Sequence, residues 1–115
     1  MLQITEAMVQ DYIKTTFGEE SSCGEVEVLQ TLDVNDIEMV YNHGCSVGVT
    51  GFIYYSETEE FFNRHQSEVF DEFNQFIDEL GYDCVNFEIN ANNLTWLFVE
   101  QVVYRFISWA EAELL

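Results

Sequence analysis

Apolar residues along this chain recur mostly at three- and four-residue intervals, the spacing of helices that turn one face to a core. Ile4, Met8, Val9, Tyr12, Ile13 and Phe17 follow that period, with Thr5 placed to cap the start and Gly18 to end the last turn. Ser22-Cys23-Gly24-Glu25 has the form of a capping box ahead of Val26, Leu29 and Leu32. A further short helix carries Val34, Ile37 and Tyr41 up to Gly44, and Asp33 to Asp36 marks the break before it. Ser56-Glu57-Thr58-Glu59 is another capping box and opens the longest predicted helix, which runs to Leu80 and stops at Gly81. Its stripe is Phe62, Val69, Phe70, Phe73, Phe76, Ile77 and Leu80. Asn92 or Asn93 caps a final helix through Leu97, Phe98, Val102, Phe106, Ile107 and Leu114.

Two stretches break the helical period. Gly44 to Gly51 holds three glycines in eight residues and leads into Phe52-Ile53-Tyr54-Tyr55, which reads as a turn followed by a buried strand or extended segment. Val85, Phe87 and Ile89 alternate with Asn86, Glu88 and Asn90, the pattern of a short half-buried strand. The expected fold is α+β, predominantly α: a single compact domain over residues 1–115, with about four helices and one or two short strands. No proline, repeat or low-complexity stretch marks a linker. Phe62, Phe70, Phe73, Ile77 and Phe106 are expected to be buried together, because they carry the stripes of the two longest helices.

Charge changes the picture. The 115 residues include 22 Asp and Glu against 3 Lys and Arg, a formal net charge of -19. Such acidity is common in disordered tails, but 48% of the residues are hydrophobic and 16% aromatic, so this chain has the means to fold. Area scaling gives a surface of about 6,500 Å2, or one net negative charge per roughly 340 Å2. Solubility asks for only about 2 to 8 net charges on a small domain. The excess therefore points to a basic partner, with halophilic adaptation as the rival explanation.

The acids of the long predicted helix carry this reading. Glu57, Glu60, Glu68, Asp71, Glu72, Asp78 and Glu79 lie mostly off the apolar stripe, and Arg64 is their only basic neighbour. Carboxylates four residues apart on a helix rise about 6 Å along its axis, a spacing that approximates a phosphate row without matching it point for point. A run of charge is ordinarily just a solvated face, yet such faces usually mix signs to gain pairs at that spacing. Direct nucleic-acid binding is disfavoured, because three basic residues cannot neutralise several phosphates.

Catalytic and metal chemistry find little support. Cys23, Cys45 and Cys84 are widely spaced and form no CxxC pair. His43 and His65 could each be cast as a base for Cys45, but acidic surroundings disfavour a thiolate, and changing Cys45 to Ser is expected to leave activity largely intact. Asp33, Asn35 and Asp36 faintly echo a calcium loop that lacks its glycine and its terminal glutamate. The glycine segment lacks the Lys of a phosphate cradle. Tyr54, Tyr55, Trp96 and Trp109 read as core more readily than as partner anchors. The expectation is no enzyme, no cofactor and no metal. No apolar run approaches the roughly 20 residues of a membrane span, so no membrane partner is expected, and the cysteine usage fits a reducing cytoplasm.

His43-Gly44-Cys45, followed by Gly51-Phe52-Ile53-Tyr54-Tyr55-Ser56-Glu57-Thr58 and an acidic, aromatic helix, resembles a family of small acidic phage and mobile-element proteins of unassigned function. The resemblance covers about residues 36 to 80. It implies a host bacterial cytoplasm, a setting in which small acidic proteins resemble DNA-mimicking inhibitors of defence enzymes. The leading expectation is an anti-CRISPR or anti-restriction inhibitor whose acidic surface occupies the nucleic-acid groove of a basic nucleic-acid-binding protein, such as a Cas effector or a restriction enzyme. The alternatives are an immunity protein that neutralises a nuclease toxin and a small phage enzyme using Cys45.

Overall fold

A computed structural model describes residues 3–18, 22–43 and 55–114, with backbone only for 39–43, 55–57 and 114. Helix α1, Glu6–Phe17, begins where Thr5 Oγ1 accepts the Met8 N–H at 3.3 Å and ends at Gly18, whose positive φ of 85° lets its N–H reach Lys14 O. Helix α2 spans Gly24–Thr31 and α3 spans Val34–His43, the latter opened by Asp33, which accepts the Asp36 N–H at 3.0 Å. Helices α4, Tyr55–Arg64, and α5, Gln66–Leu80, follow. A 3-10 turn at Tyr82–Cys84 and the 24-residue helix α6, Ala91–Leu114, complete the described chain.

The α+β expectation is corrected: every described element is helical, and no strand occurs among the described residues. Residues 52–54 of the expected first strand lie outside the described residues, and Tyr55 already belongs to α4. In the expected second strand the alternation is partly real, since Val85 and Phe87 are half-buried against the core while Asn86 and Glu88 are exposed. A strand also needs a neighbour to bond. Here the segment has none among the described elements, and its Glu88 carbonyl accepts the Asn93 side chain at 2.8 Å instead. Alternation reports half-burial, and half-burial against helices gives it equally well.

The long predicted helix is two helices, because His65 leaves the helical region at φ -127° and ψ 33°. Gly81 does stop α5, at φ 84° with its N–H on Ile77 O at 2.7 Å. Neither capping box acts as expected. Cys23, not Ser22, is the N-cap of α2 and makes no side-chain cap bond, and α4 starts one residue before Ser56. Asn90, not Asn92 or Asn93, caps α6 by accepting the Asn93 N–H at 2.9 Å.

Helix α6 is the axis of the fold. Leu94, Phe98, Val99, Val102, Val103, Phe106 and Ala110 are all essentially fully buried and fall within an arc of about 180°, which the buried Leu97 and Ile107 widen on either side, so the helix turns far more than one narrow stripe to the core. All five other helices pack on it. Phe73 and Phe106 are core residues, as expected, and Phe62 and Ile77 pack half-buried against the core, but Phe70 is 43% exposed. A radius of gyration of 13.8 Å is close to the roughly 13 Å expected of a compact chain of this size. No described helix is long and apolar enough to cross a membrane.

Candidate functional site

At about 100° per residue, Asp78, Asp71, Glu68, Glu79 and Glu72 fall within an arc of roughly 120° on α5, opposite the buried Val69 and Phe73. The arc is not uniform. Asp71, Asp78 and Glu79 are exposed, and so is Glu60 on α4, whereas Glu68 and Glu72 are partly covered and turned toward α2 and α6. The Glu57 side chain lies outside the described residues.

Glu68 supplies the N-terminal cap that the sequence of α2 lacks. Both its carboxylate oxygens lie 2.9 Å from the Gly24 N–H at the first position of α2, where a helix presents unsatisfied donors and positive charge. Gly24 makes that approach possible: a Cβ built on it stands 3.1 Å from Glu68 Oε2, 3.2 Å from His65 Cγ and 3.3 Å from Phe98 Cζ. A side chain at residue 24 therefore requires these neighbours to give by a few tenths of an ångström.

Around this contact lies a network. His65 packs on the Phe61 ring at 4.7 Å with its side chain only 11% exposed, its Nε2 3.5 Å from Glu27 Oε2 and its Nδ1 3.6 Å from Glu68 Oε1. Arg64 donates to the same Glu27 oxygen at 2.8 Å, and this bond raises the guanidinium pKa. On the other side, Arg105 of α6 reaches Glu72 at 2.8 Å and Glu25 at 3.2 Å. Burial works against the Arg105 charge, but the Glu72 and Glu25 carboxylates outweigh it and the guanidinium pKa is raised. Nearby, burial and then the Glu25 charge raise the Tyr12 pKa, which Arg105 offsets in part.

Glu25, Glu68, Asp71 and Glu72 thereby line an open groove of about 320 Å3 between α2, α5 and α6, with Arg105 and Phe98 also in its wall. Three of the seven acids expected at the partner surface meet there. Glu60, Asp78 and Glu79 do not line it. The contributions of Glu25, Glu27, His65 and Arg105 were missed. Arg105 left a signal, since a guanidinium inside an apolar helix must find carboxylates elsewhere in the fold.

A second opening, of about 450 Å3, lies between α4 and the start of α6, where Thr58, Glu59, Phe62 and Asn63 face Asn90, Ala91 and Asn92. No group of three metal-binding side chains occurs among the described residues. Cys45, Tyr54 and the Gly44 to Gly51 turn lie outside the described residues. Cys23 is partly covered and Cys84 exposed, and Cys84 Sγ donates to Leu80 O at 3.1 Å.

Residues 11–112 match the model of a family described as a domain of unknown function, DUF7222. No curated protein and no solved structure matches the chain.

Proposed function

The chain belongs to the DUF7222 family, and since that membership carries no activity with it, we propose from the chain's own charge and geometry that it inhibits a nucleic-acid-targeting defence enzyme by occupying its basic groove. The inhibitor is an acidic decoy of the anti-CRISPR or anti-restriction kind, and no covalent chemistry is involved. One observation supports this reading above the others. Arg64 and Arg105 are both engaged by carboxylates of the same chain, Glu27 for the first and Glu25 and Glu72 for the second. Among the described residues, the exposed acids Glu59, Asp71, Asp78 and Glu79 face solvent on α4 and α5 and pair with neither arginine, while the exposed Glu60 shares the Arg64 charge with Glu27.

The internal network divides the acids by role. Glu25, Glu27, Glu68 and Glu72 set the positions of α2, α5 and α6, and the exposed acids form the surface that meets the partner's cations. Encounter with a basic groove is then fast at low salt and screened beyond a Debye length of about 8 Å at physiological ionic strength.

The test compares capture from bacterial lysate by the wild type and by a variant carrying Glu60→Lys, Asp71→Lys, Asp78→Lys and Glu79→Lys. The expected result is recovery of a nuclease by the wild type alone, its release by salt, and displacement of this protein from it by duplex DNA or guide RNA. Equal capture by both proteins, indifferent to salt, overturns the reading. Recovery of a cognate toxin instead places the chain among immunity proteins.

A further inference from the structure

Phe70 is an aromatic ring that the core leaves out. It is 43% exposed on α5 and stands edge-on to Phe62, with ring centroids 5.6 Å apart. Phe62 in turn walls the opening between α4 and the first turn of α6, opposite Ala91. Ile89, 53% exposed, immediately precedes the asparagine that caps that helix. The cleft of about 450 Å3 is apolar at Phe62 and Ala91 and polar elsewhere in its wall, with the exposed Phe70 ring in contact with Phe62 and the exposed Ile89 next in the chain to its Asn90. Carboxylates border them: Glu59 lines the cleft, and the exposed Glu88 is the chain neighbour of Ile89.

We propose that this cleft and the Phe70 ring seat the apolar face of a basic amphipathic helix presented by the partner. The proposal rests on the acidic-surface reading above and names the partner element. Charge selects the occupant. Two copies of a chain at -19 repel one another, so a second copy is a poor cover for the strip. A helix with apolar residues at i, i+3 or i+4 and i+7, flanked by Lys and Arg, satisfies both features at once: its apolar side packs on Phe62, Phe70 and Ala91, and its cations meet Glu59 in the otherwise polar wall of the cleft. Long-range charge raises the rate of encounter, while a desolvated aromatic contact slows dissociation. A decoy recognised by charge alone has no use for such a seat.

Two synthetic helical peptides with the same length and the same number of Lys and Arg test this. One carries Leu and Phe at the i, i+3 and i+7 positions, and the other carries Gln there. Calorimetry is run on the wild type, Phe70→Ser and Ile89→Ser, each checked for folding by circular dichroism. The apolar peptide is expected to bind the wild type at least about tenfold more tightly than its polar counterpart, to lose that advantage with either variant, and to shift the Phe62, Asn63 and Ala91 amide resonances. Equal, salt-sensitive binding of both peptides overturns the apolar seat and leaves the acidic surface standing. Failure of both peptides to bind at low salt overturns the two readings together. Ile89 lies outside the helices, so its variant carries the test if Phe70→Ser does not fold.

Discussion

Gly24 occupies the first position of α2, where replacing glycine by alanine ordinarily stabilises a chain by about 0.4 to 1 kcal/mol through the unfolded state. Here the added Cβ meets Glu68, His65 and Phe98 within 3.3 Å, and because His65 and Phe98 are themselves packed in place, crowding is expected to outweigh entropy. Gly24→Ala is expected to lose about 1 to 2 kcal/mol in urea unfolding, as overpacked sites do. Glu100 is informative in another way. Burial raises its carboxyl pKa above the ordinary 4.5, and a bond from Tyr104 only partly offsets this. Below pH 4.5 both the folded and unfolded chains hold that proton, so the group is neutral toward stability. As pH rises through 4.5 the unfolded chain releases its proton first, and stability falls until the folded group has also ionised. Glu100→Gln stays neutral and can still accept from Tyr104. Its melting temperature should exceed that of the wild type at pH 7, with the gap closing as the pH is brought down toward 4.

Among the elements, α5 shows how a charged face is shared between folding and recognition. By charge alone, reversing Glu68, Asp71, Glu72 and Glu79 together would spare stability by relieving repulsion. The structure corrects this for two of the four, because Glu68 caps α2 and Glu72 holds Arg105. Glu72→Lys should cost about 1 to 3 kcal/mol, less than for a fully buried pair because Arg105 is 39% exposed. Glu79→Lys, at an exposed position, should leave the thermal melt unchanged or raise it. Parallel melts of the two single variants separate the roles, and equal losses at both sites would show that Glu72 contributes nothing special. The break at His65 belongs to the same scale. The Phe62-to-Leu80 stripe continues across it with hardly a change of period, so apolar spacing could not reveal that the backbone turns there to bring Glu27 and Glu68 against the imidazole.

For the whole molecule, net charge sets the response to salt. An exposed ion pair such as Arg64 with Glu27 is weakened by added salt, but such pairs contribute little, while repulsion within a chain at -19 is spread over the entire surface. Raising NaCl from about 10 mM to 150 mM, which shortens the Debye length to about 8 Å, is therefore expected to raise the melting temperature. The same step should weaken capture of the proposed basic partner. A melting temperature that falls over that range would mean that the Arg105 and Arg64 pairs outweigh the collective repulsion. The two salt responses have opposite signs, one intramolecular and one intermolecular, and measuring both on a single preparation tests the division of acids between scaffold and surface.

Local composition was enough to determine the helical character of most segments, the stops at Gly18 and Gly81, the Thr5 cap, and an interior rich in aromatic rings. Each depends on a few neighbouring residues: a period of 3.6, a positive φ available to glycine, or a hydroxyl three positions from an N–H. Tertiary structure decided the rest. A half-buried segment such as 85–89 reads alike whether it lies against a sheet or against helices, so only packing could show that it pairs with no strand. Glu68 and Glu72 are indistinguishable from Asp71 and Glu79 by charge and helical position. Their separation depends on residues distant in sequence, Gly24 44 positions before Glu68 and Arg105 on α6, because a carboxylate's role is set by the donor it meets and the fold alone brings that donor within reach.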